Sequence, residues 1–283
     1  MITPFFPTGA VDYDTLVLLT DRLIKGGINY LVVLGTTAET PTLSASEKRD
    51  VVRCVVDANG GRVPIIVGAG GNDTLSSIDA IKNLDLTGID AILSVVPYYN
   101  KPTQEGIYQH YSAIAAASQL PLMLYNVPGR TGSNMSAETT LRLANDYPGQ
   151  IVAIKEASGN LEQITRLLAD RPEGFLVISG DDAITLPMIA LGGDGVVSVI
   201  GNSYPELISS LVNSAINGDY ESARKLHFRL SPMIKAIFKE GNPAGIKAAM
   251  ENRGWSKNIL RLPLIPATSR LNKEISQLDT TLR

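Results

Sequence analysis

Short apolar runs alternate along this chain with longer stretches in which apolar side chains return every third or fourth position. That is the pattern of buried strands separated by amphipathic helices. The runs that read as strands are Tyr30–Leu34, Ile65–Gly68, Ala91–Val96, Leu122–Asn126, Val152–Lys155, Leu176–Ser179 and Gly195–Val199, with a first strand left to the stub around Ile2–Phe5. Helices are expected near Asp14–Lys25, Ala45–Asp57, Thr74–Leu84, Gln104–Ala117, Ala137–Asp146, Leu161–Leu168, Asp182–Leu191 and Pro205–Asn217. Ser44 with Glu47 three residues on, and Ser136 before Ala137-Glu138, supply cap signals.

Eight strand–helix units in about 220 residues predict an α/β chain folded as a (β/α)8 TIM barrel. An open doubly wound sheet alternates in the same way, so periodicity does not decide between them. The glycine-rich turn Gly68-Ala69-Gly70-Gly71-Asn72-Asp73 bears on that rival. A dinucleotide fingerprint wants glycine where Asp73 stands, and no Walker lysine follows, so a tight turn between strand and helix is the better reading. Helical stretches near Tyr220–Phe238, Pro243–Arg253 and Thr268–Gln277 follow with no low-complexity linker. The expected organisation is a barrel over residues 1–218 and a C-terminal helical extension, residues 219–283, packed on it.

Composition narrows the function more than the fold. A net charge of −3, with no basic cluster interleaved with aromatics, gives no footprint for nucleic acid. Cys54 is the single cysteine, which rules out an intramolecular disulfide and a cysteine metal cluster and fits a reducing compartment. The start Met1-Ile2-Thr3-Pro4-Phe5 lacks the basic and long apolar regions of a secretory signal, and no apolar run reaches the ~20 residues of a membrane span. A soluble, cytoplasmic protein with no membrane or nucleic-acid partner is expected.

The most informative residue is Lys155, at the end of the apolar run Ile151-Val152-Ala153-Ile154-Lys155-Glu156-Ala157. Burial on a strand strips hydration from an ammonium and favours the neutral amine, the form that attacks a ketone to make a Schiff base. The plainer alternative is a strand that ends at Ile154, with Lys155 in solvent and paired to Glu156. In a (β/α)8 barrel chemistry sits at the C-terminal strand ends. Those ends also carry Gly35-Thr36-Thr37-Ala38-Glu39, Pro97-Tyr98-Tyr99-Asn100, Tyr125-Asn126-Val127-Pro128-Gly129-Arg130-Thr131-Gly132 and Ser179-Gly180-Asp181-Asp182. Taken singly they read as a turn with a cap, wet tyrosine edges, a surface arginine and a helix start. Together they suit a keto acid: Thr36 and Thr37 for a carboxylate, Lys155 for the ketone, hydroxyls for proton relay, Arg130 as a fork for a second carboxylate. Metal-assisted aldol chemistry needs clustered ligands, whereas His110 and His227 lie far apart on helical segments; no Gly-x-Ser-x-Gly elbow is present.

Four segments carry a resemblance: Gly35-Thr36-Thr37-Ala38-Glu39, Pro97-Tyr98-Tyr99-Asn100-Lys101-Pro102-Thr103-Gln104-Glu105-Gly106, Tyr125 to Gly132, and Lys155-Glu156-Ala157-Ser158-Gly159-Asn160. In this order they resemble the dihydrodipicolinate synthase family of pyruvate-dependent class I aldolases, from Ile2 to about Pro266. The resemblance implies that Lys155 forms a Schiff base with pyruvate, whose enamine adds to L-aspartate-4-semialdehyde. The product would be 4-hydroxy-tetrahydrodipicolinate, in the diaminopimelate route to lysine, with no cofactor and no metal. It also implies a proton relay of Thr37, Tyr99 and Tyr125, with Tyr99 reaching a neighbouring subunit's site across a dimer. Thr36 and Thr37 would hold the pyruvate carboxylate and Arg130 that of the semialdehyde; Gly180 and Val197 would line the pocket near the lysine. A homotetramer, built as a dimer of dimers, is implied as well. N-acetylneuraminate lyase resembles the chain poorly over Pro128–Gly132. A keto-acid sensor and a sister aldolase acting on another 2-keto acid remain as other readings.

Three departures from the family pattern stand out. Ala38 replaces a usual glycine, and relatives carry several residues before the equivalent of Ile2, so a truncated first strand is expected. At positions where lysine-inhibited members use histidines and an acidic residue, this chain has Ala45, Lys48 and Ser76, though Asn72 and Tyr98 are retained. Weak or absent inhibition by lysine is the expectation.

Overall fold

The computed structural model describes residues 1–282. It contains two compact units: residues 66–197, and residues 1–65 together with the chain from Ser198 onward.

The first of these holds the strands β2 (Ile65–Gly68), β3 (Ala91–Val95), β4 (Leu122–Asn126), β5 (Ile151–Glu156) and β6 (Leu176–Ser179), each followed by helix. Residues 66 onward of β2 pair with β3, and β3 with β4, β4 with β5 and β5 with β6, all in parallel. β4 is buried along its whole length and β5 everywhere but at half-buried Val152, as expected of strands covered on both faces. Ser136 caps its helix as its place in the sequence predicted, and Asp73, Thr103 and Asn160 do the same, each accepting a backbone N–H from the first turn. Gly70 sits at φ 152°, and a Cβ there would lie 2.9 Å from Ser94 Oγ, so this glycine serves a close turn.

The other unit holds β1 (Leu31–Val33) and six helices of nine residues or more, Tyr13–Lys25, Ala45–Asn59, Pro205–Ile216, Tyr220–Phe238, Ala244–Asn252 and Ser269–Leu282. Ser44 and Glu47 form the full capping box that their spacing predicted. The C-terminal helices are tied in by a buried hydrogen bond from Tyr204 Oη to Asp279 Oδ1 (2.7 Å) and by Arg253 beside that carboxylate.

Two expected strands are reduced to single bridges. At Ile2–Phe5 there is one antiparallel bridge, Phe5 to Val11, because Pro4 has no N–H to give a ladder and the chain turns at Gly9. Ile2 and Thr3 are nonetheless buried, and the Met1 ammonium donates to Val32 O at 2.7 Å. At Gly195–Val199 there is one parallel bridge, Ser179 to Val196; Gly195 takes φ 144° and Val199 already has helical angles before the 3-10 turn Ile200–Asn202.

Candidate active site

Lys155 does not end in solvent. β5 continues to Glu156, and Lys155 is 7% exposed. The parallel register sets it beside Tyr125 of β4, and its Nζ lies 4.1 Å from the centroid of that ring. The electron-rich face of a buried tyrosine favours an ammonium and tolerates an amine. On the β6 side the neighbour is Gly180, where an added Cβ would stand 3.0 Å from Lys155 Cε and 2.7 Å from Ala157 Cβ. The lysine stem therefore occupies space that only a glycine leaves. Val197 follows β6 closely, donating its N–H to Ser179 O at 2.8 Å.

Glu156 is not the partner of Lys155. Alternation along the strand carries it to the other face, where it is completely buried. There its carboxylate accepts from Ser158 N (2.6 Å), Asn126 Nδ2 (3.0 Å) and Gln163 Nε2 (3.1 Å).

Arg130 belongs to a helical turn, Pro128–Thr131, that was not expected from the sequence. Proline at its first position and Gly132 at φ 69° behind it explain why so short a turn forms. The turn leaves Arg130 exposed while Thr131 is buried and bonded to Ser133 O. Tyr99 donates its N–H to Thr131 O, yet its side chain is 86% exposed and its backbone is left-handed, at φ 73°. A non-glycine residue in that region carries a conformational cost, and a large ring beside it in water gains nothing in return. Asp181 caps the turn that follows, accepting from Ala183 N, as its helix-start reading predicted.

Thr36, Thr37 and Ala38 form a 3-10 turn directly after β1, closed by Glu39 at φ 54°. Thr37 Oγ1 accepts from Asn242 Nδ2 at 2.8 Å. Glu39 is buried and forms a 2.5 Å ion pair with Lys247, which also donates to Ile259 O and lies over the Phe5 ring. Burial pulls the Lys247 pKa down to about 8, with Glu39 opposing the drop. Sequence reasoning missed Asn242 and Lys247. The signal for Lys247 was present, a lysine inside the apolar stretch Ala244–Met250, and it is the same signal that singled out Lys155.

His110 is buried, hydrogen-bonded through Nδ1 to Thr74 Oγ1, and burial lowers its pKa; the half-buried His227 is also lowered by burial. Among the described residues no group of three or more His, Cys, Asp or Glu side chains is arranged to hold a metal ion, and no helix is long and apolar enough to cross a membrane.

A buried lysine beside a tyrosine face, at the C-terminal end of a parallel strand, is an arrangement suited to attack on a carbonyl. Comparison with known proteins gives the family. A model of the dihydrodipicolinate synthetase family matches residues 1–281, and the chain belongs to that family. It is 53% identical over 266 residues to 4-hydroxy-tetrahydrodipicolinate synthase of Parabacteroides distasonis, covering 94% of this chain and 89% of that one. Among solved structures, a chloride-inhibited dihydrodipicolinate synthase from Acinetobacter baumannii complexed with pyruvate superposes with a TM-score of 0.96 at 39% identity, covering 99% of this chain and 96% of that one. A monomeric dihydrodipicolinate synthase variant superposes with a TM-score of 0.97 at 38% identity, covering 99% and 94%. The fold class is α/β, the (β/α)8 barrel with C-terminal helices that was expected from the sequence.

Proposed function

We propose that this protein is a lyase of the class I aldolase type that condenses pyruvate with L-aspartate-4-semialdehyde to 4-hydroxy-tetrahydrodipicolinate, in the diaminopimelate route to lysine. The observation that carries the mechanism is Lys155, buried on β5 with its Nζ over Tyr125 and its stem against Gly180. The amine adds to C2 of pyruvate, the carbinolamine loses water, and loss of a C3 proton from the iminium gives an enamine. C3 then bonds to the aldehyde carbon. The amino group of the semialdehyde attacks C2 and releases Lys155, which closes the ring with a hydroxyl at C4.

Each step moves a proton, and hydroxyls are the groups at hand. Tyr125, Thr37 and Tyr99 form the relay in this reading, Thr36 and Thr37 hold the pyruvate carboxylate, and Gly180 and Val197 line the pocket beside the lysine. Arg130 takes the semialdehyde carboxylate in a fork that lysine cannot reproduce. Tyr99 serves the site of a second subunit; its exposed ring and left-handed backbone support that role, since an isolated chain gives neither a purpose. The assembly is a homotetramer of two such dimers, acting in the cytoplasm, and its catalytic barrel spans residues 1–218 with the helices of 219–283 as an appended region.

Borohydride reduction in the presence of pyruvate, followed by peptide mapping, is the test. A pyruvyl adduct on Lys155 is expected, and an adduct elsewhere, or none, would refute the mechanism. Mixing Lys155→Ala with Tyr99→Phe subunits then tests the shared site: two inactive proteins regain activity together only if Tyr99 acts in its partner.

A further inference from the structure

We propose that Glu156, with Asn126 and Gln163, is a positioning group that holds the register of the two strands carrying Tyr125 and Lys155. This rests on the imine-forming role of Lys155. Tyr125 pairs with Lys155, and the next pair along the strands is Asn126 with Glu156, on the opposite face. Both residues of that second pair are completely buried, at positions where Leu124 and Ile154 show that apolar side chains fit.

A buried carboxylate that forms no ion pair among the described residues is costly unless hydrogen bonds compensate it. Here three donors reach it. Oε2 accepts from Asn126 and Gln163, and Oε1 accepts from Ser158 N. Asn126 is equally committed: its amide donates to Asn134 Oδ1 (2.8 Å) as well as to Glu156, and its carbonyl accepts from Met135 N (3.0 Å). Gln163, from the helix after β5, also donates to Met135 O. These bonds tie the ends of β4 and β5 to each other and to the segments that follow both.

The reason such a tie is needed lies at the other end of the same pair. Leu122 pairs with Ile151 but Met123 pairs with Ala153, so β5 carries an extra residue, Val152, at its start. A bulge interrupts the ladder and lets register shift. A slip of one residue turns every side chain to the opposite face. It would bury Glu156 in the site and send Lys155 outward. Apolar contacts between Leu124 and Ile154 do not forbid that slip, whereas an Asn–Glu hydrogen bond across the strand ends does.

The test separates positioning from stability. Asn126→Leu combined with Glu156→Leu replaces the network with apolar volume, and a thermal melt accompanies it because Met135 N and Ser158 N lose their acceptors. The rate of borohydride-trappable adduct formation at saturating pyruvate should fall about tenfold or more in this variant and in Glu156→Gln, with little change in half-saturating pyruvate. Gln163→Leu, at the half-exposed margin of the network, guards against misfolding; it should slow adduct formation about threefold, and Gln163→Lys, which restores a donor to the carboxylate, should recover it. Wild-type rates in the folded apolar pair, or in Gln163→Leu, would overturn the proposal. Wild-type protein that traps no pyruvate would overturn the catalytic reading instead.

Discussion

Substituting Gly180 by alanine tests how closely the pocket is built around the lysine. The backbone at Gly180 lies outside the left-handed region, so an alanine there is not strained by its φ, and the effect is steric. The new Cβ would meet Ala157 Cβ at 2.7 Å, Lys155 Cε at 3.0 Å and Lys155 Cγ at 3.2 Å, where ordinary contact begins at 3.4 Å. Ala157 has no side-chain torsion with which to retreat, so the strand ends must part by roughly 0.7 Å, and where that parting does not clear Lys155 its stem must swing by about 0.4 Å. Overpacking of this kind costs about 1–3 kcal/mol, which for a chain of this size lowers the unfolding midpoint by roughly 2–4 °C per kcal/mol. Displacing a reacting group by 1 Å can cost about 100-fold, so a shift of roughly half that should slow imine formation about tenfold. The assay is borohydride trapping of pyruvate against time, beside a thermal melt. Trapping within about twofold of wild type, with an unchanged midpoint, would mean that the space beside Lys155 is not tight and that the argument from Gly180 is wrong.

Arg130→Ala should raise the semialdehyde concentration needed for half-maximal rate by about 10–100-fold while leaving pyruvate trapping intact, as loss of a bidentate charge-assisted contact predicts; equal loss with both substrates would make Arg130 a residue of the fold. Lys247 titrates at about 8 in the folded protein against an ordinary 10.5, because it is buried. Between those values the unfolded chain binds the extra proton, so stability should rise with pH across that window, by up to roughly 3 kcal/mol. Glu39→Gln combined with Lys247→Met should flatten that rise in urea titrations at pH 8 and pH 10, and an identical slope in both proteins would refute the assignment. Calorimetry with free lysine should show no binding at micromolar concentration, since Lys48 would repel the effector and Ser76, at the first turn of its helix, brings no charge to pair with it.

Elements that speak through their own residues are legible in the sequence. The interior strands read correctly because a run covered on both faces must be apolar throughout, and the helix starts at Ser44 and Ser136 read correctly because those side chains accept N–H groups left without a partner inside the helix. What failed to read were features that a single residue cuts short, that are too brief to show a period, or that distant chain decides. The stretches at Ile2–Phe5 and Gly195–Val199 have strand-like composition, yet Pro4 and Gly195 leave each a single bridge. The helical turn that carries Arg130 has only four residues, too few to show a period. The tie between Asn126 and Glu156 needs residues 30 apart in sequence to be neighbours, which register alone decides.

The two buried lysines show where such reading stops and geometry takes over. Lys155 and Lys247 give the same signal, a cation in an apolar stretch, and burial of the stretch is correctly implied for both. Their chemistry diverges through partners that no local pattern encodes. Lys247 meets a carboxylate at 2.5 Å and a backbone carbonyl at 2.8 Å, so its donors are committed and its nitrogen is locked in place. Among the described residues no ion pair involves Lys155: the one carboxylate beside it in sequence is turned to the far face by strand alternation and bonded there by three neutral donors. What Lys155 meets instead is an aromatic face, which orients the amine without occupying its lone pair. An amine that must attack a carbonyl needs its nitrogen near but uncommitted, and of the two buried lysines only Lys155 is held that way.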